Sequence, residues 1–452
     1  MCGIAGFCNF KEDFEENTDY WNFRLEKMRA VLAHRGNDAR RRYLKKHIGL
    51  SHSRLAIRDI LCGDQPMTRT HNGYDYTICY NGEIYNTDEL IPELSENGFV
   101  CSTTSDTEVI LYAYIHWGAD FVNRLNGIFA FAIWDAAKRR LLLYRDRVGV
   151  KPLFYAIRGD SLVFGSEPKA CFAHPAVKPE LDKQGLQELL AIGPAHTSGL
   201  SLFKDLFEVL PGHFMIYSRD GLHDETYWEL TSREHTESYR DTVAHTRFLV
   251  EDAIKRQMVS DVPVCTFLSG GIDSSIVTAI AANYMNTRGK TLNTFSFDFK
   301  DNDRYFKANA FQPERDLPYV NRMLEEYETA HSYLECDENS LFKALFAAVD
   351  AKDMPGMTDV DSSLLYFCSL VSRKNKVALT GECADEIFGG YPWFYRKELL
   401  EKYGFPWSSD VAPRLALLRD DVALELDLSG YQAFRYEESR SKAPLLYGET
   451  GE

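Results

Sequence analysis

The stretch Val262–Ser275, VPVCTFLSGGIDSS, decides the fold expected for the second half of the chain. Its apolar start predicts a buried strand, its two glycines predict a tight turn, and the apolar run from Ile276 predicts a helix. Short apolar strands that alternate with helices are typical of βαβ units, so we expect an α/β domain with a parallel sheet. Further apolar segments in this half are Leu292–Phe299, Phe342–Val349, Leu364–Val371 and Val377–Thr380.

The first half has a different pattern, because strands with turn signals dominate up to about residue 215. Predicted strands are Tyr76–Tyr80, Ala130–Trp134, Leu141–Tyr144, Leu162–Gly165 and His213–Ser218, and predicted helices are Trp21–Leu32, Thr107–Trp117 and, after the change of pattern, Thr242–Met258. The segment 218–239 is polar and turn-rich, so we predict a linker there. It would separate a first domain, 2–217, from a second domain, 240–452.

Composition narrows the class of protein. A chain of 452 residues with 45% hydrophobic and 13% aromatic residues has the material for packed cores, and global disorder is excluded. The net charge of −16 argues against nucleic acid as the main partner. No apolar run reaches the roughly 18 residues of a membrane helix, and no secretory signal is visible. The ten cysteines include no Cys-x-x-Cys pair, so we expect reduced thiols and a cytoplasmic protein.

Cys2 directly follows the initiator Met1. If Met1 is removed, Cys2 carries both a thiol and a free α-amine, whose pKa of about 7.7–8.0 leaves part of it neutral near pH 7. A nucleophile and its base would then lie on one residue. The alternative is an inert cysteine, which is the commoner case for an isolated residue of this kind.

Tyr80–Asn86, YNGEIYN, has two interpretations. Asn-Gly between apolar strands is a strong hairpin signal. The same pair is also able to form an oxyanion hole, in which the Asn81 amide and the Gly82 backbone N–H stabilise a tetrahedral intermediate. The two interpretations are compatible.

Two charged residues complete the candidate set in the first half. Arg54 in SHSRLAI (51–57) has the planar fork that binds a carboxylate, or is a surface arginine on a strand. Asp106 in SDTE (105–108) would hold a substrate ammonium, or Ser105 or Asp106 caps the following helix. With Cys2, these residues supply what hydrolysis of the side-chain amide of a free amino acid requires.

The motifs MCGIAGF, AHRGNDA, SHSRLAI, YNGEIYN, SDTEV, RDRVGVKPLFY and FGSEPKA resemble the class II glutamine amidotransferase domain over about the first 215 residues. The resemblance implies an α+β N-terminal-nucleophile hydrolase fold, with layered antiparallel sheets and helices. It also implies that Cys2 is the nucleophile and that Asn81 and Gly82 form the oxyanion hole. The glutamine-binding positions that it implies are Arg54, Leu55, Ile57, Asn81, Gly82, Glu83 and Asp106. One departure is Asn37, where the family has proline, and its loss is expected to loosen the loop.

In the second half, the glycine turn before a helix forms an anion site from backbone N–H groups and the helix dipole. Ser269, Ser274 and Ser275 add hydroxyl donors, and the loop is not a Walker A motif. The alternative is a simple turn. Asp273 favours function, because a carboxylate beside phosphates requires a cation such as Mg²⁺.

A second loop, TGECADEIFGGY (380–391), follows another apolar strand. Glu382, Asp385 and Glu386 suggest metal binding or acid–base chemistry, whereas the alternative is that Asp385 and Glu386 simply open a helix. Ligands of parallel sheets bind at the carboxyl ends of strands, where both loops would lie, and this favours function.

SGGIDSS resembles the pyrophosphate loop of enzymes that adenylate a substrate with ATP, and TGECADEIFGGY resembles the matching loop of asparagine synthetases. The two halves in this order resemble glutamine-hydrolysing asparagine synthetases. By this resemblance Asp273 and Asp385 hold Mg²⁺, and Glu382 acts near an acyl-adenylate. The implied ATP-binding residues are Leu268, Ser269, Gly270, Gly271, Asp273, Ser274, Ser275, Phe297, Thr380 and Gly381.

The resemblance implies two half-reactions on the small-molecule substrates glutamine, aspartate and ATP. Cys2 releases ammonia from glutamine through a thioester, and ammonia then attacks β-aspartyl-AMP to give asparagine. A homodimer and a route for ammonia between the sites are family-level expectations. The alternatives are a relative with another acceptor and a non-catalytic regulator that binds nucleotide or glutamine. Because the family continues well past the second loop and Arg396–Glu452 matches no family motif, we expect a fragment or an incomplete synthetase site.

Overall fold

A computed structural model describes residues 1–308, 314–408 and 410–442, and the chain divides into two units, Met1–Thr231 and Ser232–Glu452. The strands are β1 (Gly3–Asn9), β2 (Ala39–Lys45), β3 (Ile48–Arg54), β4 (Met67–His71), β5 (Tyr74–Ile84), β6 (Gly127–Asp135), β7 (Arg140–Arg145), β8 (Phe154–Arg158), β9 (Ser161–Gly165), β10 (Phe207–Glu208), β11 (His213–Ser218), β12 (Gly221–Thr226), β13 (Val264–Phe267), β14 (Leu292–Phe299), β15 (Thr329–Cys336) and β16 (Val377–Leu379).

The helices are α1 (Thr18–Ala30), α2 (Thr87–Glu96), α3 (Asp106–Trp117), α4 (Pro168–Phe172), α5 (Lys183–Gln187), α6 (Tyr239–Gln257), α7 (Ile272–Asn286), α8 (Asn302–Tyr305), α9 (Leu317–Glu326), α10 (Glu338–Lys352), α11 (Thr358–Val371), α12 (Ala384–Phe388), α13 (Lys397–Leu400), α14 (Ala412–Leu415), α15 (Asp420–Leu426) and α16 (Leu428–Lys442). None of these described helices is both long and apolar enough to cross a bilayer. All ten cysteines lie in the described ranges and are free thiols.

The first unit contains two six-stranded antiparallel sheets, ordered β10-β8-β9-β1-β3-β2 and β12-β11-β7-β6-β5-β4. Side chains such as Leu50 and Phe164 of the first sheet pack with Ala132 and Leu143 of the second, because alternate residues of each strand point to the shared interior. Helix α1 packs on the outer face of the first sheet, and α2 and α3 pack on the outer face of the second. The layered α+β architecture expected from the sequence is therefore confirmed.

The second unit contains a four-stranded parallel sheet, ordered β15-β14-β13-β16. Val264 and Leu292 pack with Ala281 of α7 on one face. Cys265, the residue after Val264 in β13, and Phe295 of β14 pack with helix α11 on the other face. Burial on both faces explains why these strands read as continuous apolar runs, and the predicted parallel α/β arrangement is confirmed.

Two parts of the sequence-based organisation differ from the structure. Phe342–Val349 and Leu364–Val371 lie inside helices α10 and α11, so only the outer two of the four apolar segments are strands. Short apolar runs do not distinguish a strand from a buried helix. The predicted linker 218–239 also includes β12, which pairs with β11 in a hairpin.

Candidate active sites

Cys2 immediately precedes β1, which pairs with β9 on one side and with β3 on the other. Its Sγ accepts a hydrogen bond from the Leu55 backbone N–H at 3.3 Å and lies 3.6 Å from the Leu55 carbonyl oxygen. Burial raises the pKa of the Cys2 thiol above its ordinary value. The thiol is therefore fixed in place, and it needs a base to become a thiolate.

The loop that carries Asn37 in place of proline is fixed by hydrogen bonds on both sides of that residue. Arg35 Nε donates to the Cys2 carbonyl oxygen at 2.9 Å, and Arg35 Nη1 donates to Glu167 Oε1 at 2.7 Å. Asp38 N–H donates to the Arg54 carbonyl oxygen at 2.9 Å. Asn37, which occupies the position where the family has proline, is thus exposed, and hydrogen bonds hold the residues on both sides of it.

Asn81 and Gly82 lie inside β5, where they pair with Ala130 and Phe129 of β6. The hairpin interpretation is therefore wrong, since the Asn-Gly signal describes local preference and the long strand overrides it. A side chain at Gly82 would collide with the Ile128 carbonyl oxygen, so glycine allows the close approach of β6.

The Asn81 side chain is only 1% exposed, and its Nδ2 has no hydrogen-bond partner within the described residues. An unsatisfied amide N–H₂ in a buried position is costly unless a ligand satisfies it. Burial, then the charge of Asp106, and more weakly the charge of Cys2 raise the pKa of Glu83, two residues along the strand, so the thiol acts electrostatically on this part of β5. The arrangement provides a free donor near a nucleophile.

Asp106 opens α3, and the Ser105 hydroxyl caps the helix by accepting a hydrogen bond from Thr107 N–H at 3.3 Å. Asp106 Oδ2 accepts from the Tyr80 hydroxyl at 2.9 Å and from Ile84 N–H at 3.1 Å. The capping interpretation therefore applies to Ser105, and the buried Asp106 carboxylate is turned towards β5.

Asp106 and Glu83 form an acid pair. Burial raises the pKa of both carboxyl groups, and the charge of Asp106 raises the pKa of Glu83 further. One cation opposes this repulsion, because Arg58 Nη1 lies 3.9 Å from Asp106 Oδ2. An ammonium group bound here would stabilise both ionised carboxylates. Arg58 was not identified from the sequence, where it is only a second arginine after Arg54.

Arg54 is a buried residue at the end of β3, so the surface alternative is wrong. Its Nη1 donates to the Ile60 carbonyl oxygen and to Asp64 Oδ1, both at 3.0 Å. Its Nη2 donates to the Arg58 carbonyl oxygen at 3.2 Å. In this structure the guanidinium therefore holds the loop 58–64, while Leu55 and Ile57 lie half-buried beside it.

In the second unit, the turn after β13 leaves the amino end of α7 open. Gly270 has φ +86°, and a side chain there would meet the Asp316 carbonyl oxygen at 2.8 Å. Gly271 is the N-cap, and no side chain of the described residues caps the helix. Ser269 and Ser274 bond to each other through their hydroxyls at 2.9 Å, which shapes the loop. Unsatisfied N–H groups at a helix start bind anions.

The loop after β16 lies against the start of α7. A Cβ at Gly381 would be 2.8 Å from Asp273 Cβ and 2.8 Å from Ser274 N, so only glycine permits this approach. Burial and the charge of Asp385 raise the pKa of Asp273. Two neighbouring carboxylates at the edge of an anion site suit Mg²⁺, which binds one or two carboxylates together with phosphates. Asp385 also lies in the first turn of α12, as the helix-opening alternative proposed.

The remaining predicted residues of the second site surround these loops. Leu268 is buried, and its N–H donates to the Phe295 carbonyl oxygen at 2.9 Å, which joins β13 to β14. The Phe297 ring packs on Phe367 at a centroid distance of 5.1 Å. Thr380 is half-buried and Glu382 is exposed. Thus the carboxyl ends of the parallel strands bring both loops to one edge of the sheet, where open α/β sheets bind their ligands.

Comparison with known proteins shows which family each half of the chain resembles. A family model described as glutamine amidotransferase domain matches residues 1–228, and one described as asparagine synthase matches residues 245–451. Asparagine synthetase [glutamine-hydrolyzing] 3 of Bacillus subtilis (strain 168) is 47% identical over all of this chain, which covers 73% of that protein. The chain belongs to the family of glutamine-hydrolysing asparagine synthetases. The resemblance found in the sequence is confirmed.

Other relatives are more distant. Asparagine synthetase [glutamine-hydrolyzing] 1 of the same bacterium is 32% identical over 88% of this chain and 60% of its own length. Among solved structures, a glutamine phosphoribosylpyrophosphate amidotransferase from B. subtilis is 15% identical, with a TM-score of 0.40, and covers 86% of this chain and 97% of its own. Use of ATP is consistent with the asparagine synthetase family.

Proposed function

We propose that this chain hydrolyses glutamine at Cys2 and uses the ammonia to convert aspartate into asparagine at the expense of ATP. The observation that carries the proposal is the buried Asn81 amide, whose Nδ2 lacks a partner among the described residues and which lies two residues before Glu83, a carboxyl group whose pKa responds to burial, to Asp106 and to the charge of Cys2. A free donor in a low-dielectric site is what a developing oxyanion requires. The 47% identity to a glutamine-hydrolysing asparagine synthetase supports the same reaction.

In the first half-reaction, removal of Met1 would expose the α-amine of Cys2 as the base. The amine accepts the thiol proton while Sγ attacks the amide carbon of glutamine. The Asn81 amide and Gly82 N–H bind the resulting oxyanion. The protonated α-amine then gives its proton to the leaving nitrogen, and the C–N bond breaks to release ammonia. Water then hydrolyses the γ-glutamyl thioester, which gives glutamate and regenerates the thiol.

Recognition of glutamine rests on groups of opposite charge. Asp106 and Glu83 would bind the α-ammonium, which is supported by their mutual repulsion in a buried setting. Arg54 would bind the α-carboxylate, after exchanging one of the loop oxygens that its guanidinium contacts. Leu55 and Ile57 would line the aliphatic part of the substrate.

In the second half-reaction, a β-carboxylate oxygen of aspartate attacks the α-phosphorus of ATP and pyrophosphate leaves. The turn Ser269–Gly271 and the start of α7, including Asp273, Ser274 and Ser275, would hold the pyrophosphate. Leu268, Phe297, Thr380 and Gly381 would surround the nucleotide.

Asp273 and Asp385 would bind Mg²⁺, which neutralises charge on the phosphates. Glu382 would act beside the β-aspartyl-AMP. Ammonia then forms the C–N bond of asparagine and AMP leaves.

The organisation around this chemistry is also a proposal. The amidotransferase domain would extend over 2–217 and the synthetase domain over 240–452. The ten free cysteines support a reducing compartment, the cytoplasm. A homodimer is expected only by analogy with the family, and light scattering of the purified chain tests it.

A product assay tests the proposed function. The chain is supplied with Mg-ATP, aspartate and either glutamine or ammonium, and glutamate, AMP, pyrophosphate and asparagine are followed. We expect asparagine from both nitrogen sources, and we expect Cys2→Ala to abolish only the glutamine-dependent route. Glutamate without AMP would overturn the synthetase half. Equal glutamate release by Cys2→Ala would overturn the amidotransferase half.

A further inference from the structure

Lys151 lies in the motif RDRVGVKPLFY (145–155). It is 8% exposed, and its Nζ contacts the Met1 Sδ at 3.1 Å. Within the described part of the chain, no carboxylate lies at ion-pair distance from this Nζ. A buried ammonium with a thioether as its neighbour is costly. The burial of Lys151 without an ion-pair partner therefore points to a functional role.

The backbone around Lys151 is rigid. Its N–H donates to Asp146 Oδ2 at 2.9 Å, and its carbonyl oxygen accepts from Arg145 Nε at 3.1 Å. Asp146 also accepts from the N–H groups of Phe129 and Val150, so backbone donors satisfy that carboxylate. The Lys151 backbone is therefore held in place, and its side chain extends from it to the amino terminus.

The Met1 side chain is held between two cations. Arg35 Nη2 lies 4.0 Å from the same Met1 Sδ, and Arg35 Nε donates to the Cys2 carbonyl oxygen. Glu167 neutralises Arg35 at 2.7 Å. Within the described residues Lys151 has no carboxylate at ion-pair distance, and it contacts the side chain of the residue whose peptide bond contains the Cys2 nitrogen. That nitrogen becomes the α-amine of Cys2 once Met1 is removed.

We propose that Lys151 is a positioning residue for glutamine hydrolysis that keeps the α-amine of Cys2 in its neutral, base-competent form. A neighbouring cation disfavours the ammonium form of an amine. This inference rests on the proposed function, because only there does the α-amine act as a base. Lys151 would act on the base, in addition to the residues that bind the substrate.

The charged groups around the amino terminus agree in sign. In the chain with Met1, burial lowers the pKa of the terminal amine to about 5, Arg35 and Lys151 lower it as well, and Cys2 and Glu83 raise it. The groups that face Lys151 itself are Arg35, Asp146, Glu83 and Cys2, and burial lowers its pKa. Of the two cations, Lys151 is the one without a bound carboxylate.

The test compares Lys151→Met, which removes the charge at similar length, with Lys151→Arg, which keeps it. Intact mass first establishes loss of Met1, and kcat/KM for glutamate release is then measured against pH. We expect the acid limb to rise by about 1 pH unit in Lys151→Met, a roughly tenfold loss below the limb, and to stay in place in Lys151→Arg. An unchanged limb in Lys151→Met overturns the proposal.

A second measurement needs no turnover of glutamine. Cyanate carbamylates neutral amines, so the pH midpoint of α-amine carbamylation in the wild-type chain reports the basicity of Cys2 directly. We expect a midpoint below the ordinary range of about 7.7–8.0, and a midpoint within or above that range overturns the proposal. Retention of Met1 overturns it too. A wild type that releases no glutamate refutes the proposed function, while a carbamylation midpoint that is higher in Lys151→Met than in the wild type still supports the role of Lys151, and equal midpoints overturn it.

Discussion

The glutamine site and the nucleotide site differ most in how far they are closed. Asn81 and Asp106 are 1% and 5% exposed, whereas Ile272 and Ile387, in the two candidate phosphate loops, are 78% and 72% exposed. Charges act strongly on each other in a buried site and weakly in water. The first candidate site is therefore preorganised by the protein alone, while the electrostatics of the second would depend on the nucleotide and the cation proposed to bind there.

The largest effect that would break this comparison is expected at Asn81. Asn81→Ala removes the unpartnered donor, and we expect kcat for glutamate release to fall about 100- to 1,000-fold with little change in KM. The control is Asn37→Ala, an exposed asparagine of the same unit, which we expect to remain within twofold. If KM rises and kcat is kept, Asn81 binds ground-state glutamine instead.

The next effect concerns the open site. Asp273→Asn keeps the shape but removes one of two neighbouring carboxylates, so we expect ATP–pyrophosphate exchange to fall about 10- to 100-fold and the Mg²⁺ requirement to rise. Glutamate release should be unchanged. Asp303→Asn, at an exposed aspartate of the same unit, is the control. Normal exchange at normal Mg²⁺ would argue against a metal at this position.

A smaller effect tests how the first site is held. Buried Glu108 accepts from Thr103 and Ser102 N–H and from Arg69 Nε. Although burial raises its pKa, hydrogen bonds from Thr103 and Arg69 lower it to about 2. The unfolded value is about 4.3, so this stabilisation is complete above that pH and is lost as pH falls towards 2.

Glu108→Gln should therefore lower the free energy of unfolding by about 2–3 kcal/mol at pH 7 and make α3 exchange its amide hydrogens faster. The variant should lose less further stability on acidification than the wild type. Exposed Glu338→Gln, at the start of α10, should change neither. Equal acid sensitivity of Glu108→Gln and wild type would show that another carboxylate is responsible.

The smallest effect is expected at Asn37. Gly36 already has extended backbone, φ −172° and ψ 131°, as a residue before proline prefers. Asn37→Pro should raise the free energy of unfolding by about 0.4–1 kcal/mol and leave glutamate release within twofold. Urea unfolding and the glutaminase rate measure both. A large gain in kcat would show that this loop is loose in the wild type.

Much of the fold can be predicted from the sequence, because hydrophobic periodicity and turn residues identify strands that alternate clearly or are fully buried. Strands β11 and β14 were bounded at the observed residues, His213–Ser218 and Leu292–Phe299. Phe342–Val349 was not separable from a strand, since a short apolar run has no period of its own. Asn81-Gly82 misled as a turn because its neighbours in β6 lie far along the chain.

The candidate sites were predictable where a motif is contiguous, as at Cys2 and Ser269–Ser275. Arg58 and Lys151 could not be identified from the sequence, because each contacts a residue that is distant along the chain. The guanidinium contacts of Arg54 were equally invisible, since they depend on how the loop 58–64 folds back. Sequence motifs name the chemical groups, whereas their partners emerge only from the tertiary structure.

The central place of β1 has a consequence for biosynthesis. Cys2 is made first, yet β1 pairs with β9, Ser161–Gly165, which is made much later. At about 5–20 residues per second, a ribosome needs about 8–30 s to reach that strand. Until then an aminopeptidase meets an unpaired amino terminus, whereas afterwards Met1, although still 51% exposed, directly precedes a strand that is paired on both sides. If Met1 is not removed, Cys2 has no free α-amine to act as a base. The enzyme would then be folded, intact and inactive towards glutamine.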